Sequence, residues 1–277
     1  MRATVARYAV TSLSSPQLTE SIVLAERIHA ALVKLSDGSP VFTGCDELGR
    51  PLQGHGHAHI FCESNMGPGK GAGGEITHVT IYAPIGFGSE ERAALEGLKE
   101  VWGERDLELR MQLQGLGSRE ELGGGAQGRE RCPLLARSRT WVSRTPFLPA
   151  RHGKVTRAGV PKVDERGLQI DSPEHELLRL LELAGFPAPA VLEPVAGTCL
   201  GSRTVPWASF ACRRSGDEGR RAVGAARGFR IEFAEEVQGP VAVGYASHFG
   251  MGGFASDRPK CIDLVQVEPV ASTARPK

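Results

Sequence analysis

No stretch of the sequence approaches the roughly 18–20 apolar residues that a membrane-spanning helix needs, and the first dozen residues lack the apolar core of a secretory signal. The expectation is a cytoplasmic protein with no membrane partner. Cysteine is present at six positions, Cys45, Cys62, Cys132, Cys199, Cys212 and Cys261, without any C-x-x-C pair. That argues for reduced thiols and against a thiolate zinc centre. The segment Gly67-Pro68-Gly69-Lys70-Gly71 lacks the Ser or Thr that a phosphate-binding P-loop places after its lysine, and a strand-like run rather than a helix follows it. His78-Val79-Thr80 has no second His-x-Ser/Thr partner, which counts heavily against the bilobal phosphoesterases that use two. Aromatics make up only 6% of the chain, whereas glycine occurs 35 times in 277 residues, so tight turns and backbone-lined surfaces are expected.

The net charge of +1 conceals an asymmetry. Residues 1–128 hold 11 Lys/Arg against 16 Asp/Glu, and residues 129–277 hold 22 against 16. The densest basic stretch, 129–166, has ten basic and three acidic residues. A polyanionic partner would be gripped by the second half, through contacts that weaken with salt.

Hydrophobic periodicity gives an order of elements. Residues 5–11 read as a strand, and Ser15-Pro16 as the start of a helix whose apolar positions run from Leu18 to Leu35. Strands follow at 57–62 and 76–83, a helix from Ser89 through Trp102, and an alternating strand at 107–113. The succession β-α-β-β-α-β is the ferredoxin-like plan. The second half reads as a less regular copy, with strands at 140–147, 190–195, 207–213, 229–233 and 241–245 and a helix opened by Ser172-Pro173. The expected fold class is therefore α+β, with two tandem ferredoxin-like (RRM-like) domains at 1–115 and 129–277 and a Gly-rich linker at 116–128.

Three histidines alternate in Gly54-His55-Gly56-His57-Ala58-His59. On a strand, residues two apart share a face, so His55, His57 and His59 would form a row able to do acid–base chemistry or to hold a metal. His78, on the next strand, could lie beside them. Lys70 in its glycine loop, Arg144, and Arg151 with His152 suit phosphate contact. The loop Ser247-His248-Phe249-Gly250-Met251-Gly252 offers His248 and unobstructed backbone at Gly250 and Gly252.

Taken together, these stretches resemble a known family. Pro40-Val41-Phe42-Thr43-Gly44, the histidine row, Ile76 through Pro84, Trp141-Val142-Ser143-Arg144-Thr145-Pro146-Phe147 with Arg151-His152, and Gly239-Pro240-Val241 through Gly252 are similar to the processing endoribonucleases of CRISPR systems, in the RAMP superfamily. More narrowly, they resemble the nuclease half of the fused subtype I-G (formerly I-U) protein. The Asp/Gly-rich turn of that family is replaced here by residues 67–74, and its backbone-capping domain has no counterpart. The expectation is a separately encoded nuclease or an excised half.

The resemblance implies a metal-independent, cofactor-free cut of repeat RNA (pre-crRNA) by 2′-hydroxyl attack. The ends left would be a 2′,3′-cyclic phosphate and a 5′-hydroxyl. It also implies retention of the crRNA 3′ hairpin and association with other type I effector subunits, including a capping subunit. Two of His55, His57 and His59 would be acid and base, with Lys70 or Arg151 as the cation. RNA contacts would come from Lys70, His78, Arg144, Arg151, His152, His248, Gly250 and Gly252. Two alternatives remain: a crRNA-binding subunit that does not cut, and a metal-dependent hydrolase that uses the His-x-His-x-His row as ligands.

Overall fold

The computed structural model describes residues 2–12, 14–54, 56–64, 73–102, 108–124, 132–214 and 225–257. The first half runs β1 (Val5–Ser12), α1 (Ser21–Leu35), α2 (Pro40–Thr43), β2 (His59–Ser64), β3 (Ile76–Tyr82), α3 (Ser89–Gly97), β4 (Glu100–Trp102), β5 (Glu108–Gly117) and α4 (Arg119–Gly123). Its strands form one antiparallel sheet in the order β2-β3-β1-β5-β4. Ala6, Tyr8, Ile60, Cys62, Val79 and Ile81 point from the sheet to one face, where they bury with Ile22, Ala25, Ile28 and Leu32 of α1 and Ala94 and Leu95 of α3. The Tyr8 hydroxyl donates to Leu95 O at 2.6 Å, which satisfies a polar group inside this core.

The second half runs β6 (Arg137–Ser143), α5 (Pro173–Leu183), β7 (Val191–Val195), β8 (Gly197–Leu200), β9 (Arg203–Pro206), β10 (Gly228–Gln238) and β11 (Phe254–Ser256). Its main sheet has the order β11-β6-β10-β7, with β8 and β9 as a separate hairpin. The architecture is α+β with two main sheets built of ferredoxin-like elements. Among the described residues no helix is long and apolar enough to cross a membrane.

The periodicity misplaced several boundaries. The first helix does not start at Ser15, because Pro16 O accepts from Ile76 N at 2.8 Å and Leu18 N donates to Gly74 O at 2.6 Å, holding the chain extended beside β3. The second helix stops at Gly97, and Val101 is buried from a short edge strand instead. Residues 207–213 are not a strand: Trp207–Ser209 is a 3-10 turn, with the buried indole donating to Val195 O at 2.6 Å. Nor are residues 241–245, which fold back on their own loop through Val243 N to Gly252 O (3.2 Å) and Phe254 N to Val241 O (2.9 Å). Within the expected linker, β5 continues to Gly117 and α4 follows, while residues 125–128 lie outside the described set.

The two halves share their core. Leu148, Leu200, Trp207, Phe249 and Met251 of the second half are buried with the helices and sheet of the first. On the opposite face of the first sheet, Val5 and Phe61 pack with Leu122, Leu134 and Leu135. The turn that carries Phe249 and Met251 is thereby pressed against β2, and this contact builds the site.

Candidate active site

His59 opens β2, and alternation places it with Phe61 on the face away from α1 and α3. His57 lies before the strand. Its ring packs so close to Gly44 that a Cβ there would meet it at 2.9 Å, and Gly44 holds φ +70°. His55 lies outside the described residues, so the expected row of three on one strand is replaced by one strand residue and one residue of the preceding loop.

The third imidazole comes from elsewhere. His248, on the 3-10 turn Ser247–Phe249, inserts its ring between the other two. Its centroid is 3.6 Å from that of His57 (12° between planes) and 3.8 Å from that of His59 (29°), while His57 and His59 are 6.4 Å apart. Two reciprocal bonds pin the arrangement: His59 Nδ1 lies 3.3 Å from Ser247 O, and His248 Nδ1 lies 3.1 Å from Ala58 O. A carbonyl only accepts, so each Nδ1 carries the hydrogen. Nε2 is then the nitrogen through which these rings take or give a proton. Imidazole is the side chain whose chemistry allows it both to take and to give a proton near neutral pH, and stacking sets three of them side by side.

Behind the turn, Phe249 is held by Arg214, whose guanidinium lies 3.9 Å from the ring centroid and pairs with Glu26 at 3.1 Å. His29 meets the same ring edge-on at 5.2 Å and has its second contact at Phe42 O, 2.9 Å away. Burial lowers the pKa of His29, an effect only partly opposed by the Phe42 carbonyl.

Beside the stack is an open cleft of about 490 Å3, lined by His59, Tyr82, Arg119, the C-terminal turn of α5 and the segment from Pro240 to Gly244. Tyr82 is the direct cross-strand partner of His59, with ring centroids 6.3 Å apart. Arg119 lies over the Tyr82 ring at 5.6 Å. Burial raises the Tyr82 pKa; Arg119 opposes this and Glu120 adds to it, so the phenol stays protonated at neutral pH and can donate as well as accept a hydrogen bond. Neither Tyr82 nor Arg119 was singled out from the sequence. The strand register opposite His59 was the one signal for Tyr82, and nothing marked Arg119.

The remaining expected residues are dispersed. His78 pairs with Glu63, four residues along β2 from His59 and so about 13 Å away; its Nδ1 lies 3.0 Å from Thr77 Oγ1. Antiparallel pairing thus carries it away from the histidines. Arg144 joins the halves, donating to Cys199 O at 2.9 Å and Ser64 Oγ at 3.3 Å. Gly250 and Gly252 are buried; a Cβ on Gly250 would meet Ile60 O at 2.7 Å, so the bare backbone serves to seat the His248 turn on β2. Lys70 lies outside the described residues.

Arg151 and His152 are exposed at the base of an arm between β6 and α5. Arg151 and Lys154 pair with Asp171 at 3.3 and 3.1 Å. Burial would raise the Asp171 pKa, but the hydrogen bonds from Lys154 and Arg151 outweigh it and hold the carboxyl low. The arm itself is two eight-residue turns closed by a ring of backbone bonds: Lys154 N to Ile170 O (2.8 Å), Lys162 N to Lys154 O (2.9 Å) and Ile170 N to Lys162 O (2.8 Å). Arg157, Lys162 and Arg166 are exposed on it, without ion-pair partners among the described residues.

Among the described residues no three of His, Cys, Asp or Glu are grouped to hold a metal ion. The three imidazoles present stacked faces to one another rather than converging nitrogens.

No family model matches the chain, and no curated protein matches it. Solved structures do. The chain is similar to the product of a Cas6-related gene from Pyrococcus furiosus, at 11% identity and TM-score 0.44, covering 93% of this chain and 100% of that one. It is similar to an RAMP protein binding different RNA substrates, at 12% identity and TM-score 0.45, covering 92% and 100%. It also aligns with Cas6 in a product complex, at 12% identity and TM-score 0.35, covering 92% and 99%. At such identities and scores nothing about activity passes from those proteins to this chain.

Proposed function

We propose that the chain is a metal-independent endoribonuclease that cuts CRISPR repeat RNA. The motif resemblance supplies the substrate class. The observation that carries the cutting is the stack of His57, His248 and His59, the last of which lines a cleft. One ring takes the proton of a ribose 2′-hydroxyl through Nε2 as the 2′-oxygen bonds to the adjacent phosphorus. The bond from phosphorus to the 5′-oxygen breaks, and a neighbouring imidazolium gives that oxygen its proton. The products are a 2′,3′-cyclic phosphate and a 5′-hydroxyl, and the proton count balances. In this reading the edge of the Arg119 guanidinium, in the same cleft as His59, supplies positive charge toward the non-bridging oxygens. In this reading the histidine-bearing unit at 1–115 cuts, while the basic unit at 129–277 grips the RNA, lends His248, retains the 3′ hairpin and meets the other effector subunits, a capping subunit among them.

The test is end-labelled repeat RNA incubated with protein in EDTA. Cleavage should be blocked by a 2′-deoxy substitution at the cut, and should fall at least about 100-fold in His59→Ala or His248→Ala. A second reading has one observation in its favour: His59 is only 7% exposed, as suits a joint that seats the turn in a binding-only subunit. RNA that is shifted on a gel yet left whole by the wild-type protein would establish that reading and end the first.

A further inference from the structure

The cleft beside the stack has two unlike walls. One carries Arg119 lying over Tyr82, with an Arg119 Nη1 to Gly239 O contact of 3.5 Å. Arg119 has no carboxylate at ion-pair distance among the described residues. The other wall is apolar, formed by Leu180, Leu183 and Phe186 at the end of α5, and Leu183 is 66% exposed. A phosphate gains nothing from an apolar wall, and an aliphatic ligand would leave the Arg119 guanidinium unmatched. A flat heteroaromatic ring with polar edges suits both: its face against leucines and the guanidinium plane, its edge toward hydrogen-bonding groups. The volume, about 490 Å3, lies within the range of small-ligand pockets.

We propose that this cleft is a nucleobase subsite, holding one unstacked base of the RNA next to the phosphate presented to the imidazole stack. The proposal deepens the endoribonuclease reading and rests on it for the identity of the ligand as RNA. Tyr82 faces His59 across the strand pair at 6.3 Å between rings, so base and phosphate of a single nucleotide would span the two places. Arg119 and Leu183 then determine which nucleotide is accepted at the cut. Tyr82, as the floor under Arg119, is a positioning residue.

The probes are the four nucleoside 3′-monophosphates, with ribose 5-phosphate and inorganic phosphate as base-free controls, titrated into the full chain by NMR. At least one nucleotide should bind about 10-fold more tightly than ribose 5-phosphate. Arg119→Ala and Leu183→Ser should each bring that ratio towards one. Both sites are on or near the surface, and an unchanged melting temperature shows that the variants fold. Equal binding of ribose 5-phosphate and all four nucleotides would overturn the subsite, as would a ratio that neither substitution alters. Cleavage assays separate the two readings. Wild-type cutting by His59→Ala and His248→Ala with base-dependent binding intact removes the catalytic reading alone. Histidine-dependent cutting without base preference removes the subsite alone.

Discussion

Gly250→Ala is the sharpest perturbation of the way the site is assembled. Gly250 has φ +78°, a backbone region that costs an L-residue about 1–2 kcal/mol. Its added methyl would also stand 2.7 Å from Ile60 O, a backbone atom of β2 that cannot swing aside. Overpacking of this kind costs about 1–3 kcal/mol, for a total of about 2–5 kcal/mol. Gly159 is an internal control, because it has the same φ of +78° but nothing within 4 Å of the added atom. Gly159→Ala should therefore lose only the backbone share. With a shift of about 2–4 °C per kcal/mol in a domain of this size, calorimetry should place Gly250→Ala about 2–12 °C below Gly159→Ala. The same displacement lifts the His248 turn away from β2, and a misplacement of about 1 Å can cost about 100-fold in rate. Cleavage should drop accordingly in Gly250→Ala and stay unchanged in Gly159→Ala. Equal melting temperatures and equal rates for the two variants would refute the claim that close packing of this turn on β2 aligns the stack.

Two further outcomes follow from the same structure. Replacing Arg157, Lys162 and Arg166 of the exposed arm by Gln should weaken RNA binding and make the slope of log K against log salt shallower by about 2 units; an unchanged slope would show that the arm makes no phosphate contact. His29 titrates below its ordinary value of about 6.5 when folded, so the unfolded chain binds more protons just under that pH. His29 should therefore favour the folded state fully above about pH 6.5 and less as pH falls toward its folded pKa; thermal melts against pH should show this decline, and His29→Gln should flatten it.

Much of the fold was legible because strands and helices declare themselves locally. The short run Val5-Ala6-Arg7-Tyr8 reads as a strand, which is buried on both faces, and the spacing of Ile22, Ala25, Ile28 and Leu32 points one helix face at a core. Boundaries failed where a distant backbone took the hydrogen bonds, as when β3 and the residues before it held Pro16 and Leu18 extended. The segment 241–245 failed for a related reason: an apolar stretch reads as a strand, yet its backbone bonds go to Gly252, to Phe254 at the start of β11 and to Leu148 rather than along a strand ladder.

The candidate site divides in the same way. Sequence by itself determined that histidines two apart cluster at the start of β2, that a glycine loop carries another, and that basic charge gathers in the second half. Only the tertiary structure decided that His248, 190 residues from Ala58, closes the stack, that His78 is carried away from it by register, and that Tyr82 and Arg119 flank it. Periodicity reports which way a side chain faces relative to its own backbone. Which surface meets that face depends on how the Phe249 and Met251 turn buries against α1 and β2, and burial is a property of the whole chain.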